Sequence, residues 1–256
     1  METFTLTRKD MASLLVTLSG KTASKLPLQV LQDAWRRYHQ EEIKSGSNFT
    51  SFLSTSLPPV LEKMIKSAAK VDGFSLHDIV ALGSQIEYTH MSITSVQNWV
   101  KRDFKSYLGA PKEGKKYSLN QAALLFIIED LKSTLDFESI RKLFDILFRD
   151  SATDEDDLIQ PLELYSAYST LFEEMEDHYE EVVCSRTDTR GFDAVLDQLY
   201  RQRAEHVVAG MKSLSLMQKE AVRNALIVAL ISVQTSYFHS LARRYVNGMV
   251  FLRDLE

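Results

Sequence analysis

The sequence predicts a mainly α-helical protein with one small β-hairpin, built as N-terminal helices, a compact central module and a C-terminal helical bundle. Three observations predict it. Cap-forming residues (Thr7, Ser75, Ser92, Ser118 and Asp136) stand directly before runs whose apolar residues recur at helical spacing. Three long helical stretches, about 160–184, 191–212 and 216–247, fill the last third. The only hairpin signal is YLGAPKEGKKYS, where Gly109, Pro111 and Gly114 are placed as turn residues between two short runs.

Thr7 with Asp10 has capping-box spacing and opens the first helix, which ends at Ser19-Gly20. Pro27 starts a second helix, with Leu28, Val30, Leu31 and Trp35 on one side. Pro58-Pro59 breaks the chain before a third, basic helix. Ser75 with Asp78 caps a short helix closed by Gly83. Ser92 caps ITSVQNWVKRDF, with Ile93, Val96 and Val100 as its inward stripe. The segment from Gly83 to His90 exceeds a three- or four-residue turn, so either the first of these helices runs on to about Tyr88 or the linker is an insertion. Ser118 with Gln121 is a capping box ahead of AALLFIIEDL, and Asp136 caps FESIRKLFDILF. Leu226, Ile227, Ala229, Leu230 and Val233 make the final helix apolar nearly all round, as in the centre of a bundle or a subunit interface. The implied organisation is 1–70, 71–150 and 151–256.

Composition excludes several classes. The chain has 256 residues, 45% hydrophobic and 25% charged, with nine glycines and five prolines. That is a globular composition, neither collagen-like nor disordered. The single cysteine, Cys184, excludes a disulfide framework and a CxxC knuckle, and reads as an intracellular, cytoplasmic chain. No secretory signal opens the chain, and the apolar run ALIVALISV is nine residues long against the ~20 a membrane span needs. The net charge of −5 is uneven. Lys101 to Lys116 holds six basic residues against two acids, whereas Ser151 to Glu181 holds eleven acids and no Lys or Arg. The first stretch suits an anionic partner that the second would repel.

No catalytic or cofactor signature is present: no GxGxxG, GxxxxGK[ST], GxSxG or HExxH. Glu174, His178 and Glu181 could share a helix face, but the Glu-x-x-His pattern that a bundle metal site wants on two helices occurs on neither. The reading is non-enzymatic, with no metal and no cofactor.

The remaining signal, in 75–148, is one for nucleic acid. The second helix of this block shows Thr94, Ser95, Gln97 and Asn98 on its outer side, then Lys101, Arg102 and Lys105. Asn and Gln can bond an adenine edge in the major groove, and Thr or Ser can contact several bases. Lys and Arg meet phosphates, which supply affinity rather than sequence. Lys112, Lys115 and Lys116 would grip the adjacent backbone from the hairpin, with Tyr117 bonding a phosphate. Trp99 lies beside the apolar stripe and reads as packing onto the helix at 119–131.

This block resembles the MerR-like helix–turn–helix with its wing. Met91-Ser92-Ile93-Thr94-Ser95-Val96 looks like the family's start of the recognition helix, and Lys116-Tyr117-Ser118-Leu119-Asn120-Gln121-Ala122 is similar to its wing exit. Phe126-Ile127 with Leu135 to Ile140 looks like its following helix pair. Closest is a bacterial domain-of-unknown-function family built on that module, with Asn98-Trp99-Val100-Lys101 and Pro111 to Tyr117 matching its core and wing motifs. Gln97 and Ser118 stand where the MerR-like pattern has arginines. The likeness covers about 75 of 256 residues and implies a winged helix–turn–helix transcriptional regulator. Such a regulator would bind palindromic duplex DNA as a homodimer. The C-terminal helices would supply the interface, and a small-molecule effector could bind. Tyr165, Tyr168, Phe172, Tyr179 and Phe238 are aromatics that could line a pocket but more often form core. The alternative is an all-α protein–protein adaptor on a decayed version of the module.

Overall fold

The computed structural model describes residues 5–20, 25–39, 57–66, 71, 73–112, 114–148, 157–184 and 192–253. In chain order the helices are α1 (Arg8–Leu18), α2 (Pro27–Tyr38), α3 (Pro59–Lys66), α4 (Leu76–Gly83) and α5 (Ile93–Asn98). They continue with α6 (Lys105–Leu108), α7 (Leu119–Leu131), α8 (Phe137–Leu147), α9 (Pro161–Cys184), α10 (Phe192–Ala209) and α11 (Leu216–Arg253). Each cap read from the sequence is made. Thr7, Ser75 and Ser118 complete capping boxes with Asp10, Asp78 and Gln121, while Ser92 and Asp136 accept the N–H groups of Ser95 and Ser139. These bonds satisfy amides that a helix start leaves without a partner.

One hydrophobic core runs from Leu6 to Val233 and takes in residues of all three expected segments. α7 is its centre: every residue from Gln121 to Leu131 is buried, between α9 and α11. Full burial of each large apolar side chain there contributes about 1.5–3 kcal/mol. α1 packs on α9, and α10 on α11.

The expected hairpin does not form. Among the described residues there is no strand, only two isolated backbone bridges. The physical reason is that the turn's polar groups have other partners. The Gln121 side-chain amide donates to the carbonyls of Leu108 (2.5 Å) and Ala110 (2.7 Å), and its carbonyl accepts the N–H groups of Ser118 (2.8 Å) and Lys112 (3.4 Å). Tyr117 pairs instead with Phe74, N–H to carbonyl in both directions at 2.8 and 2.9 Å. A Cβ on Gly73 would lie 2.4 Å from the Tyr117 carbonyl oxygen, so this approach requires glycine. The chain is therefore mainly α without a β wing.

The linker question resolves towards a short first helix. α4 stops at Gly83, against which the Met91 side chain packs. Residues 84–91 turn back to meet Leu6, whose N–H donates to Gln85 (2.7 Å) and whose carbonyl accepts from Glu87 (3.0 Å). The long connection exists because the N-terminal segment docks on it.

α11 differs from expectation in its second half. Val222, Ala225, Leu226, Ala229, Leu230 and Val233 are buried, but Phe238, Tyr245, Val246, Met249, Val250 and Phe251 are exposed. The stretch Leu216–Phe251 is long and apolar enough to cross a membrane by length and composition, with a third of its most apolar window inside the fold.

Candidate nucleic-acid interface

α4 and α5 pack as a helix pair. α5 begins at Ser92, whose Oγ accepts the Ser95 N–H at 3.2 Å. It does not end at Asn98 as a regular helix would. It widens into a π turn, Trp99–Asp103, where the Phe104 N–H reaches the Trp99 carbonyl at 2.9 Å. Single π turns inside helices frequently sit at functional positions. Lys101 and Arg102 lie on this turn.

Aromatic packing holds the segment from inside. Phe104 meets Phe137 and Phe144 at ring distances of 5.2 and 5.9 Å, and Tyr107 meets Phe144 at 5.4 Å. The Tyr107 hydroxyl donates to Asp145 at 2.5 Å, and burial followed by this bond pushes its phenol up to about 12. Trp99 is buried in the core as expected, with the Lys132 ammonium 5.4 Å from its ring centre.

The outward side carries the expected polar residues. Thr94 is exposed; Gln97 and Asn98 are half-buried and make no side-chain hydrogen bond among the described residues. Ser95 is partly committed, its Oγ lying 2.8 Å from the Ser92 Oγ that donates to it. Thr94 and Asn98, four apart on α5, share one helix face. Lys101, Arg102 and Lys105 are exposed, as are Lys112, Lys115 and Lys116 on the following loop. Among the described residues Lys101, Arg102, Lys105, Lys115 and Lys116 have no ion-pair partner. Tyr117 is elsewhere: only 9% exposed, it anchors the loop to Phe74, and burial raises its phenol above the ordinary range.

The interior holds a cation the sequence did not announce. Arg8 is fully buried, and its Nε donates to both Asp130 oxygens at 3.0 and 3.1 Å while Nη2 donates to Oδ1 at 2.8 Å. Nη1 donates to the Glu87 carbonyl (3.1 Å), and the Tyr168 hydroxyl donates to Asp130 (2.7 Å). Burial opposes the Arg8 charge, but Asp130 outweighs it and holds the guanidinium protonated. Tyr165 and Tyr168 are pushed well up by burial and by Asp130. With Phe172 they are core side chains, while Phe238 is half exposed. Tyr179, His178, Glu181 and Cys184 have side chains outside the described residues, which contain no cluster of three metal-binding side chains. Within the acidic run, residues 151–156 also lie outside them.

Comparison with known proteins finds similarity over this block. A family described as "Domain of unknown function (DUF1836)" matches residues 75–168. That stretch starts at the N-cap of α4 and ends at Tyr168, the Asp130 partner. Over its length, the chain is similar to "Uncharacterized protein YkrK" of Bacillus subtilis (strain 168): 29% identical over 245 residues, 95% of this chain and 97% of that protein. No solved structure matches significantly. The match agrees with the coarser part of the resemblance read from the sequence, a domain-of-unknown-function family.

Proposed function

We propose that the chain is a non-enzymatic, cytoplasmic DNA-binding regulator that reads duplex DNA with α5 and acts as a homodimer. The observation that carries this is the outward side of α5, with exposed Thr94 and half-buried, unbonded Gln97 and Asn98, and five unpaired cations following in Lys101, Arg102, Lys105, Lys115 and Lys116. Available amide side chains suit base edges, and unpaired cations suit phosphates. Helix α5, paired with α4, retains the MerR-like resemblance in the reading helix; the phosphate-gripping role of the loop falls to Lys112, Lys115 and Lys116 without a hairpin.

The homodimer reading draws on α11. Ile231, Phe238 and Tyr245 recur every seven residues and are 43%, 50% and 72% exposed. A seven-residue apolar repeat suits a second long helix. Membrane crossing suits it less: Val222, Ala225, Leu226, Ala229, Leu230 and Val233 are in the core, and the remainder contains Arg243, Arg244 and Arg253. The same apolar half of α11 also favours the adaptor reading, in which its occupant is a different protein.

Selection from a random duplex pool at about 0.15 M salt separates the two, because non-specific binding is weak there. A regulator enriches a palindrome whose half-site spacing reports dimer geometry. An unenriched pool from folded protein favours the adaptor.

A further inference from the structure

The C-terminal end of α7 faces two other segments: the linker at Tyr88–His90 and α11 from Ser236 to Arg243. Between the three lies a cleft of about 270 Å³. Its floor is electrically closed. Buried Glu129 accepts the His90 N–H at 3.1 Å and forms an ion pair with the Lys132 ammonium at 2.8 Å. Asp130 beside it is occupied by Arg8 and Tyr168.

The rim is not closed. The side chains of His90, His239 and Arg243 line it and have no partner among the described residues. With both floor pairs neutral, the cleft carries the uncompensated charge of Arg243, flanked by two imidazoles and the Ser240 hydroxyl. The linker wall is preformed. Tyr88 holds a left-handed backbone (φ 61°) with its ring edge-on to Tyr237 at 5.2 Å. Thr89 Oγ1 donates to the carbonyls of Gly83 (2.5 Å) and Ile86 (2.9 Å). A strained conformation that surrounding contacts maintain is a recurrent property of ligand sites.

We propose that this cleft binds a small hydroxylated anion, an organic carboxylate or a phosphate ester, with Arg243 as its principal charge partner. The volume falls below the ~300–1,000 Å³ of pockets for drug-sized ligands and so fits a compact metabolite. The ligand bridges α11 to the linker, which ends at Ser92, the N-cap of α5. It thereby fixes the projecting half of α11 relative to the reading helix. That regulatory consequence rests on the DNA-binding reading; the binding itself does not.

The test is calorimetric titration of the full chain with inorganic phosphate, glycerol 3-phosphate and malate, with glycerol as neutral control. Wild type is compared with Arg243→Gln and with Arg253→Gln, which removes an exposed arginine of the same helix outside the cleft. The expected result is saturable binding of at least one anion with Kd below about 1 mM. It weakens about tenfold or more in Arg243→Gln and stays unchanged in Arg253→Gln, as loss of a charge-assisted contact requires. Binding of the phosphate probes alone assigns a phosphate ester, and binding of malate alone a carboxylate. No saturable binding by any anion, or equal loss in both variants, overturns the proposal. The duplex-pool selection runs in chloride without these anions, so its failure leaves the titration intact.

Discussion

The two halves of α11 have similar apolar content and opposite surroundings. From Val222 to Val233 its core-facing side chains are 0–2% exposed, against α7, α9 and α10. Beyond it Phe238, Tyr245, Val246, Met249, Val250 and Phe251 are 50–72% exposed. An apolar pattern in sequence states that a helix wants a partner; it does not state whether that partner belongs to the same chain. The cations divide the same way. Arg8 is buried with all three guanidinium nitrogens bonded, whereas Lys101, Arg102 and Lys116 stand in solvent without a counter-ion. The interior set has spent its bonding capacity on the fold, and the exterior set has kept it.

The largest effect that could break this contrast comes from Asp130→Ala. It leaves the Arg8 guanidinium buried without its carboxylate, and Tyr168 without its acceptor. A broken buried pair of this kind costs about 3–5 kcal/mol. Chemical denaturation should show a loss of that size, and a loss below about 1 kcal/mol would mean that Arg8 is not held as described.

Leu230→Ala and Phe238→Ala test the two halves of α11 directly. Leu230 is fully buried, and its truncation should cost about 2–5 kcal/mol of stability. Phe238 is half exposed, so its truncation should change folding stability by no more than about 0.5 kcal/mol. It should instead shift sedimentation equilibrium from dimer to monomer. Equal melting losses in both variants would place Phe238 in the fold rather than in an interface.

The local chemistry of this fold was legible and its long-range closure was not. Thr7, Ser75, Ser92, Ser118 and Asp136 announce their helices because a cap acts within three residues. Gly109, Pro111 and Gly114 correctly mark a turn, with positive φ at Gly109 and Gly114. They cannot show that the Gln121 amide fills the place of a strand partner, or that Phe74 claims Tyr117. Gln121 was visible as a capping residue, but its second role depends on where Leu108 arrives. The π turn at Trp99–Asp103 leaves no trace in apolar spacing, since Val96, Trp99 and Val100 would be buried on a regular helix too. The cleft has no sequence signature because its walls come from residues 88–90, 129–133 and 236–243, scattered histidines and serines with no shared motif.

On the exterior side, Asn98→Ala sharpens the distinction between reading bases and binding charge. Asn98 makes no side-chain bond within the described residues, so its removal should leave folding intact. Affinity for a selected site should fall by about 1–3 kcal/mol, with little change on random duplex. Equal losses on both DNAs would move Asn98 from base contact to backbone contact.

Lys116→Ala is the smallest perturbation and the most specific test of the loop. Its neighbour Tyr117 is fixed to Phe74 through both backbone hydrogen bonds, so Lys116 leaves the fold from a held position, exposed and without a counter-ion. A lysine so placed should touch phosphate and nothing sequence-specific. Each phosphate contact contributes about 0.9 to the slope of log affinity against log salt. The variant should therefore bind specific and random duplex more weakly in the same proportion, and flatten that slope by about one unit. Anisotropy titrations across several salt concentrations measure the slope directly. A slope that does not change would leave the reading helix to bind DNA without help from Lys116, and would return this loop to the interior side of the comparison, as a fastening between α6 and α7.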